Sequence, residues 1–140
     1  MNPEPAQNPD TKPLQVLHIG KYFPPFRGGM ETYLRDLMRA ITEQGVCSSA
    51  LVHDHERGSR ARMTLLETPT GELKVLREAR WLNLSFTPIS PGFPIALMRM
   101  IKRDRPQLLH FHLPNASVFW ALILPRARRL PWVLHWHADV

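Results

Sequence analysis

Residues 14–41, LQVLHIGKYFPPFRGGMETYLRDLMRAI, decide how the chain is read. The stretch opens after Pro13 with LQVLHIG, a short run of branched apolar residues of the kind that forms a parallel strand buried on both faces. The next segment, KYFPPFRGG, places two prolines and two glycines where regular structure must break, so it reads as a loop. Met30, Tyr33, Leu34, Leu37, Met38 and Ile41 then recur at the spacing of one helical face, and Gly45 supplies a stop. Strand, glycine loop and amphipathic helix together form the opening of an α/β unit.

Working outward, residues 48–53 (SSALVH) read as a second strand, followed by a polar connection over residues 53–62. Residues 73–76 (LKVL) suggest a third strand, whereas residues 81–94 hold three prolines and one glycine and read as irregular. A helix over residues 94–103 has Pro94 at its first position and is expected to bury Leu97, Met98 and Ile101. Residues 107–112 (QLLHFH) form a fourth strand after Pro106. Ala116, Phe119, Trp120, Ile123, Leu124 and Ala127 mark another helix, with Pro125 as a kink or early stop. Residues 132–137 (WVLHWH) make a last strand. This alternation predicts a Rossmann-like, doubly wound parallel sheet spanning residues 14–140. Residues 1–13 carry four prolines and no apolar run, and are expected to be a disordered leader without the apolar region of a secretory signal.

Eighteen Lys and Arg against twelve Asp and Glu give a charge of +6, which favours anionic partners. The basic groups Arg99, Lys102, Arg103, Arg105 and Arg126, Arg128, Arg129 read first as solvated helix faces, and second as a patch for an anionic membrane surface. No zinc finger, RNP sequence or helix-turn-helix is present, so a nucleic-acid partner is not expected. The longest purely apolar run, residues 118–124, is far short of the ~20 residues of a membrane span. Cys47 is the single cysteine and cannot form an internal disulfide; it reads as a small apolar filler. These features suit a cytoplasmic protein, either free or peripheral on the inner face of the membrane.

Ligands of open parallel sheets bind beyond the carboxyl ends of the strands. Here those ends carry Gly28 and Gly29, His53, His112, His137 and Asp139. Glycines before a helix amino terminus let backbone N–H groups approach a diphosphate, although a tight turn asks for the same residues. The loop is neither GxGxxG nor a Walker loop. Three His-x-His pairs, His53/His55, His110/His112 and His135/His137, raise a metal-hydrolase alternative, but no HExxH motif or acidic cluster supports it and no metal is expected. His18, His110 and His135 sit within apolar runs and read as hydrogen-bonded core residues. His112 and His137 end their strands and are the stronger functional candidates.

The order VLHIGKYFPPFRGGMETYLRDLMRAI, LLHFHLPNA and VLHWHADV resembles the amino-terminal half of glycosyltransferase family 4 enzymes of the GT-B type. The resemblance implies a retaining transferase that moves a hexose-like unit from a nucleotide-sugar donor to a glycan or lipid-linked acceptor, with no further cofactor. It puts Gly28 and Gly29 near the donor diphosphate and His137, the catalytic candidate, beside the transferred sugar. Glu31, His112 and Asp139 are then expected to shape the donor site; an acid in a first helical turn also has a structural reason to be there. The family's second domain, with its E-x7-E motif, has no counterpart before Val140, so the chain alone is expected to be an incomplete enzyme. A non-catalytic Rossmann-like binding or partner domain is the alternative.

Overall fold

The computed structural model describes residues 12–57, 60–84 and 87–137. The expected leader therefore lies largely outside the described residues, as does Asp139. Within them the chain runs β1 (Gln15–Ile19), α1 (Gly29–Glu43), β2 (Cys47–Arg57), β3 (Arg62–Thr68), β4 (Gly71–Arg80), β5 (Leu82–Leu84), β6 (Thr87–Ile89), α2 (Phe93–Asp104), β7 (Leu108–Leu113), α3 (Val118–Ile123), α4 (Pro125–Arg128) and β8 (Trp132–Trp136).

Six strands form one sheet in the order β3-β4-β2-β1-β7-β8, and β5 pairs with β6 in a separate antiparallel ribbon. All neighbours in the large sheet are parallel except β3 and β4. From β1 the chain winds outward through α1 to β2, then returns to the far side of β1 as β7. That reversal between β1 and β7 is the topological switch point of a doubly wound sheet, and the fold is the expected Rossmann-like α/β.

Alternation along the strands divides the core between two faces. Leu17, Ile19, Leu51, Leu109 and Phe111 pack under α2, α3 and α4, with Phe93, Leu97, Met100, Ala121 and Ala127 facing them. On the other face Ala50, Val52, Leu73 and Val75 meet Leu34 and Met38 of α1. Gly45 has φ 84°, the left-handed conformation that ends α1 at the expected place.

Several sequence expectations change. The polar connection after His53 is instead the continuation of β2 to Arg57, followed by an edge strand, β3, that makes a hairpin with β4. His53 and Asp54 are buried in β2 because they have polar partners: His53 lies between two serines and Asp54 pairs with Arg62. A hydropathy pattern cannot register such a strand. The stretch expected to be irregular contains the β5–β6 ribbon. Met98 is exposed, and Phe93, Ala96 and Met100 take its expected place in the core. Pro125 ends α3 and begins α4, so the predicted single helix is two. Cys47 is exposed at the start of β2 and fills no core position.

Candidate functional site

The carboxyl ends of β1, β7 and β8 bring together the glycine loop, the start of α1 and five histidines. Register explains the histidines. His18 lies level with His110 across the β1–β7 pair, and His112 lies level with His135 across β7–β8. Side chains two apart on a strand share a face, so His137 joins His135 and all five project on the α1 side of the sheet.

The rings form a continuous cluster. Nδ1 of His18 lies 3.3 Å from Nε2 of His112, and Nδ1 of His112 lies 3.1 Å from Nε2 of His137. Each is a hydrogen bond whose direction follows the tautomer. His135 and His137 stack with centroids 4.2 Å apart, and the His110 and His112 rings lie 4.3 Å apart, tilted by 31°. Tyr33 of α1 stands edge-on against both His135 and His137 at 5.0 Å. Burial, with the neighbouring imidazoles adding to it, lowers His18 to about 3, His110 to about 4 and His112 to about 2. Burial and His135 also lower His137. These four rings are therefore neutral near pH 7, with one nitrogen of each able to accept.

His112 and His137, expected at the strand ends, are hydrogen-bonded to each other; His112 is buried beneath the cluster and His137 is half-buried at its rim. His18 is a buried, hydrogen-bonded residue as expected, whereas the same reading of His110 and His135 needs correction. His18 is fully buried, but its Nε2 and that of His110 have no partner among the described residues. His110 and His135 are only half-buried, and His135 shares the rim with His137 instead of lying beneath it.

Gly28 is extended, with φ 178°, so its need for glycine is spatial and not conformational. The Glu31 carboxylate folds back onto it, and a Cβ at Gly28 would collide with the carboxylate. Glu31 is itself buried. Gly29, the first residue of α1, has open space on its side, with nothing within 4 Å of where a Cβ would stand. The helix start is therefore approachable at Gly29, while Glu31 occupies the space beside Gly28.

Three contributors escaped the sequence reading. Tyr33 has the spacing of the core face of α1, yet it is 41% exposed and lies over the histidines. Arg77 of β4 is buried and donates to the carbonyl oxygens of Phe23, at 3.2 Å, and Pro24, while its guanidinium lies 5.5 Å from the Phe23 ring. It fixes the loop that carries the glycines. Arg77 lies among the charged residues that follow the LKVL run, so nothing in the sequence sets it apart. His18, read as core, is the hydrogen-bonding neighbour of His112.

A second depression lies at the other end of the sheet. A cavity of about 790 Å³ lies at the amino ends of β1, β2 and β4, lined among others by Thr42, Gly45, Cys47, Ser48 and Glu72. Volume alone favours it, but the switch-point geometry and the converging imidazoles favour the carboxyl end, where ligands of open α/β sheets bind.

Among comparisons with known proteins, the family model of the glycosyl transferase 4-like domain matches residues 28–140, most of the chain. No curated protein sequence matches it.

Proposed function

Because the chain belongs to the glycosyl transferase 4-like family, we propose that it is the amino-terminal half of a retaining enzyme that transfers a sugar from a nucleotide-sugar donor. The observation that carries this reading is the meeting of the open start of α1 with the His112–His137 pair at the β1/β7 switch point. The two ends of such a donor have different needs. A diphosphate is served by free N–H groups and the positive end of a helix, which Gly29 leaves accessible. A sugar hydroxyl is served by a neutral hydrogen-bonding group, which the half-buried His137 supplies through the ring nitrogen not bound to His112.

In this reading Gly28, Gly29 and Glu31 shape the diphosphate side, and the Glu31 side chain moves aside when the anion arrives, since two negative groups cannot share that space unscreened. His112 is a positioning residue that holds the His137 ring through the 3.1 Å hydrogen bond. Asp139 completes the sugar side. The developing charge on the leaving diphosphate is met by backbone dipoles of this half and by basic residues of a second, carboxy-terminal domain. The acceptor is a glycan or lipid-linked sugar, and no bound metal or further cofactor is needed for transfer.

Acceptors of that kind bring the enzyme to a membrane, and the surface of α2 and α3 supports such a partner. Ile95 and Met98 are exposed beside Arg99, Lys102 and Arg103, and Phe119 and Ile123 project from α3. Apolar side chains among cations suit peripheral binding to an anionic inner leaflet. Among the described residues no helix is long and apolar enough to cross a membrane.

The test is sugar transfer by this half joined to a carboxy-terminal GT-B domain. His137→Ala is expected to reduce transfer at least about tenfold, equivalent to ~1.4 kcal/mol of lost transition-state stabilisation, with little change in melting temperature. Unchanged transfer by a folded His137→Ala enzyme would remove His137 from the site.

A further inference from the structure

The histidine cluster holds more imidazole than a hydrogen-bonded core would use. Its members do not satisfy one another: Nε2 of His18 and Nε2 of His110 have no partner among the described residues. Buried polar atoms in a purely structural network are normally paired. The cluster also contains two triads in which one nitrogen from each ring lies within 4.8 Å of the others, sharing His112: one with His18 and His110, the other with His135 and His137. Convergent neutral imidazoles in a half-buried recess are what a borderline divalent ion binds.

We propose that His112, His135 and His137 form a binding site for a divalent transition-metal ion of the zinc type. Access singles out this triad over the inner one, and two further features suit it to an ion. His135 and His137 are half-buried at the rim, so a hydrated ion has a way in, whereas His18 is wholly enclosed. Two nitrogens bound to one tetrahedral ion at about 2.0–2.1 Å lie roughly 3.3 Å apart, and His112 Nδ1 and His137 Nε2 are already 3.1 Å apart. If His112 binds through Nδ1, its Nε2 is left to donate to Nδ1 of His18, 3.3 Å away. Ligating histidines ordinarily have such a support, which fixes the tautomer and the ring orientation.

Three protein ligands leave at least one coordination position for water or another donor. The site requires no acidic ligand, so the absence of an HExxH pattern does not count against it. Tyr33 lies edge-on to His135 and His137 and screens one side of the site. This inference does not depend on the sugar-transfer reading. Its consequence for that reading is competition for the His137 ring: an ion bound at Nε2 replaces the hydrogen bond to His112 that would hold the ring toward a sugar.

The experiment is calorimetric titration of the tag-free chain with zinc chloride in a non-chelating buffer near pH 7.5, repeated with cobalt(II) to read visible absorption. One ion per chain with micromolar or tighter affinity is expected, together with the visible bands of tetrahedral cobalt. His135→Ala, at a half-buried rim position, is expected to keep its metal-free melting temperature within a few degrees and to weaken binding at least about tenfold. His55→Ala is the control, because His55 lies beside Asp54 and Glu56 and outside the cluster; it is expected to bind as the parent does. Absence of saturable binding by the parent chain, undiminished binding by His135→Ala, or loss of binding in His55→Ala would each overturn the assignment.

Discussion

Arg77 shows how one side chain on a distant strand governs the glycine loop. Its guanidinium is enclosed, lowered from its ordinary value by burial and by Arg62, and it ties down the carbonyls of Phe23 and Pro24. Replacing it with Met retains much of the side-chain volume and leaves those acceptors without their donor. Hydrogen bonds to charged groups contribute about 1.5–3 kcal/mol, so Arg77→Met is expected to lower the melting temperature by roughly 5–10 °C. Lys102→Met on the exposed face of α2 should change it little, since substitutions at such places stay within about 0.5 kcal/mol. Equal melting for both variants would show that the loop is held by other means. The Gly28–Glu31 contact belongs to the same scale. The paired glycines were legible as a loop signal, but that one of them is filled by a carboxylate and the other open depends on a side-chain rotamer, which no sequence pattern carries.

Among the elements, β2 departs furthest from what its residues suggest. Its apolar first half reads as a strand; its second half, with His53, Asp54, His55, Glu56 and Arg57, reads as a loop. The strand continues because tertiary partners accept those polar groups. Nδ1 of His53 lies 2.7 Å from the Ser90 hydroxyl and Nε2 lies 2.6 Å from the Ser117 hydroxyl, while the ring stacks on Phe93 at 4.6 Å. Burial, then Lys21 and Arg80, lowers His53 to about 3. In the unfolded chain a histidine takes up its proton near 6.5. Below that value the unfolded state binds the proton and the native state does not, so stability is full above pH 6.5 and falls with pH toward about 3. Each such group contributes a slope of up to ~1.4 kcal/mol per pH unit. Thermal melts are therefore expected to be level from pH 8 to 7 and to drop progressively below pH 6. A His53→Gln variant should show a shallower acid loss. The same melting temperature at pH 5 and pH 7.5 would mean that the buried ring is protonated without penalty.

For the whole molecule, the parallel sheet and its doubly wound character follow from signals that were present locally: apolar runs, a glycine loop and helical spacing at α1 and α2. The edge hairpin β3–β4 was not visible, because its turn at Pro69-Thr70 lacks the Asn-Gly or Asp-Gly signature and β3 alternates between half-exposed and exposed positions. The convergence of five histidines was also hidden. Each His-x-His pair could be seen, but only the parallel register of β1, β7 and β8 places them on one face. The surface supports one further expectation. With cations and exposed apolar side chains together on α2, binding to liposomes should rise with anionic lipid content and fall as salt increases, because screening shortens the reach of exposed charges to about 8 Å at physiological ionic strength. Binding that is absent, or indifferent to salt, would reduce that face to ordinary solvated charge.

The central claim is that the donor is received at the carboxyl ends of the strands and not in the cavity at the opposite end. The most direct measurement is two-dimensional NMR of the labelled chain during titration with a nucleoside-diphosphate sugar, following backbone amides and histidine ring signals together. The account predicts saturable shifts at Gly29, Met30 and the rings of His135 and His137, with Gly45, Cys47, Ser48 and Glu72 unmoved. Shifts confined to the amino-end cavity, with the glycine loop and the histidine rings unchanged, would contradict it.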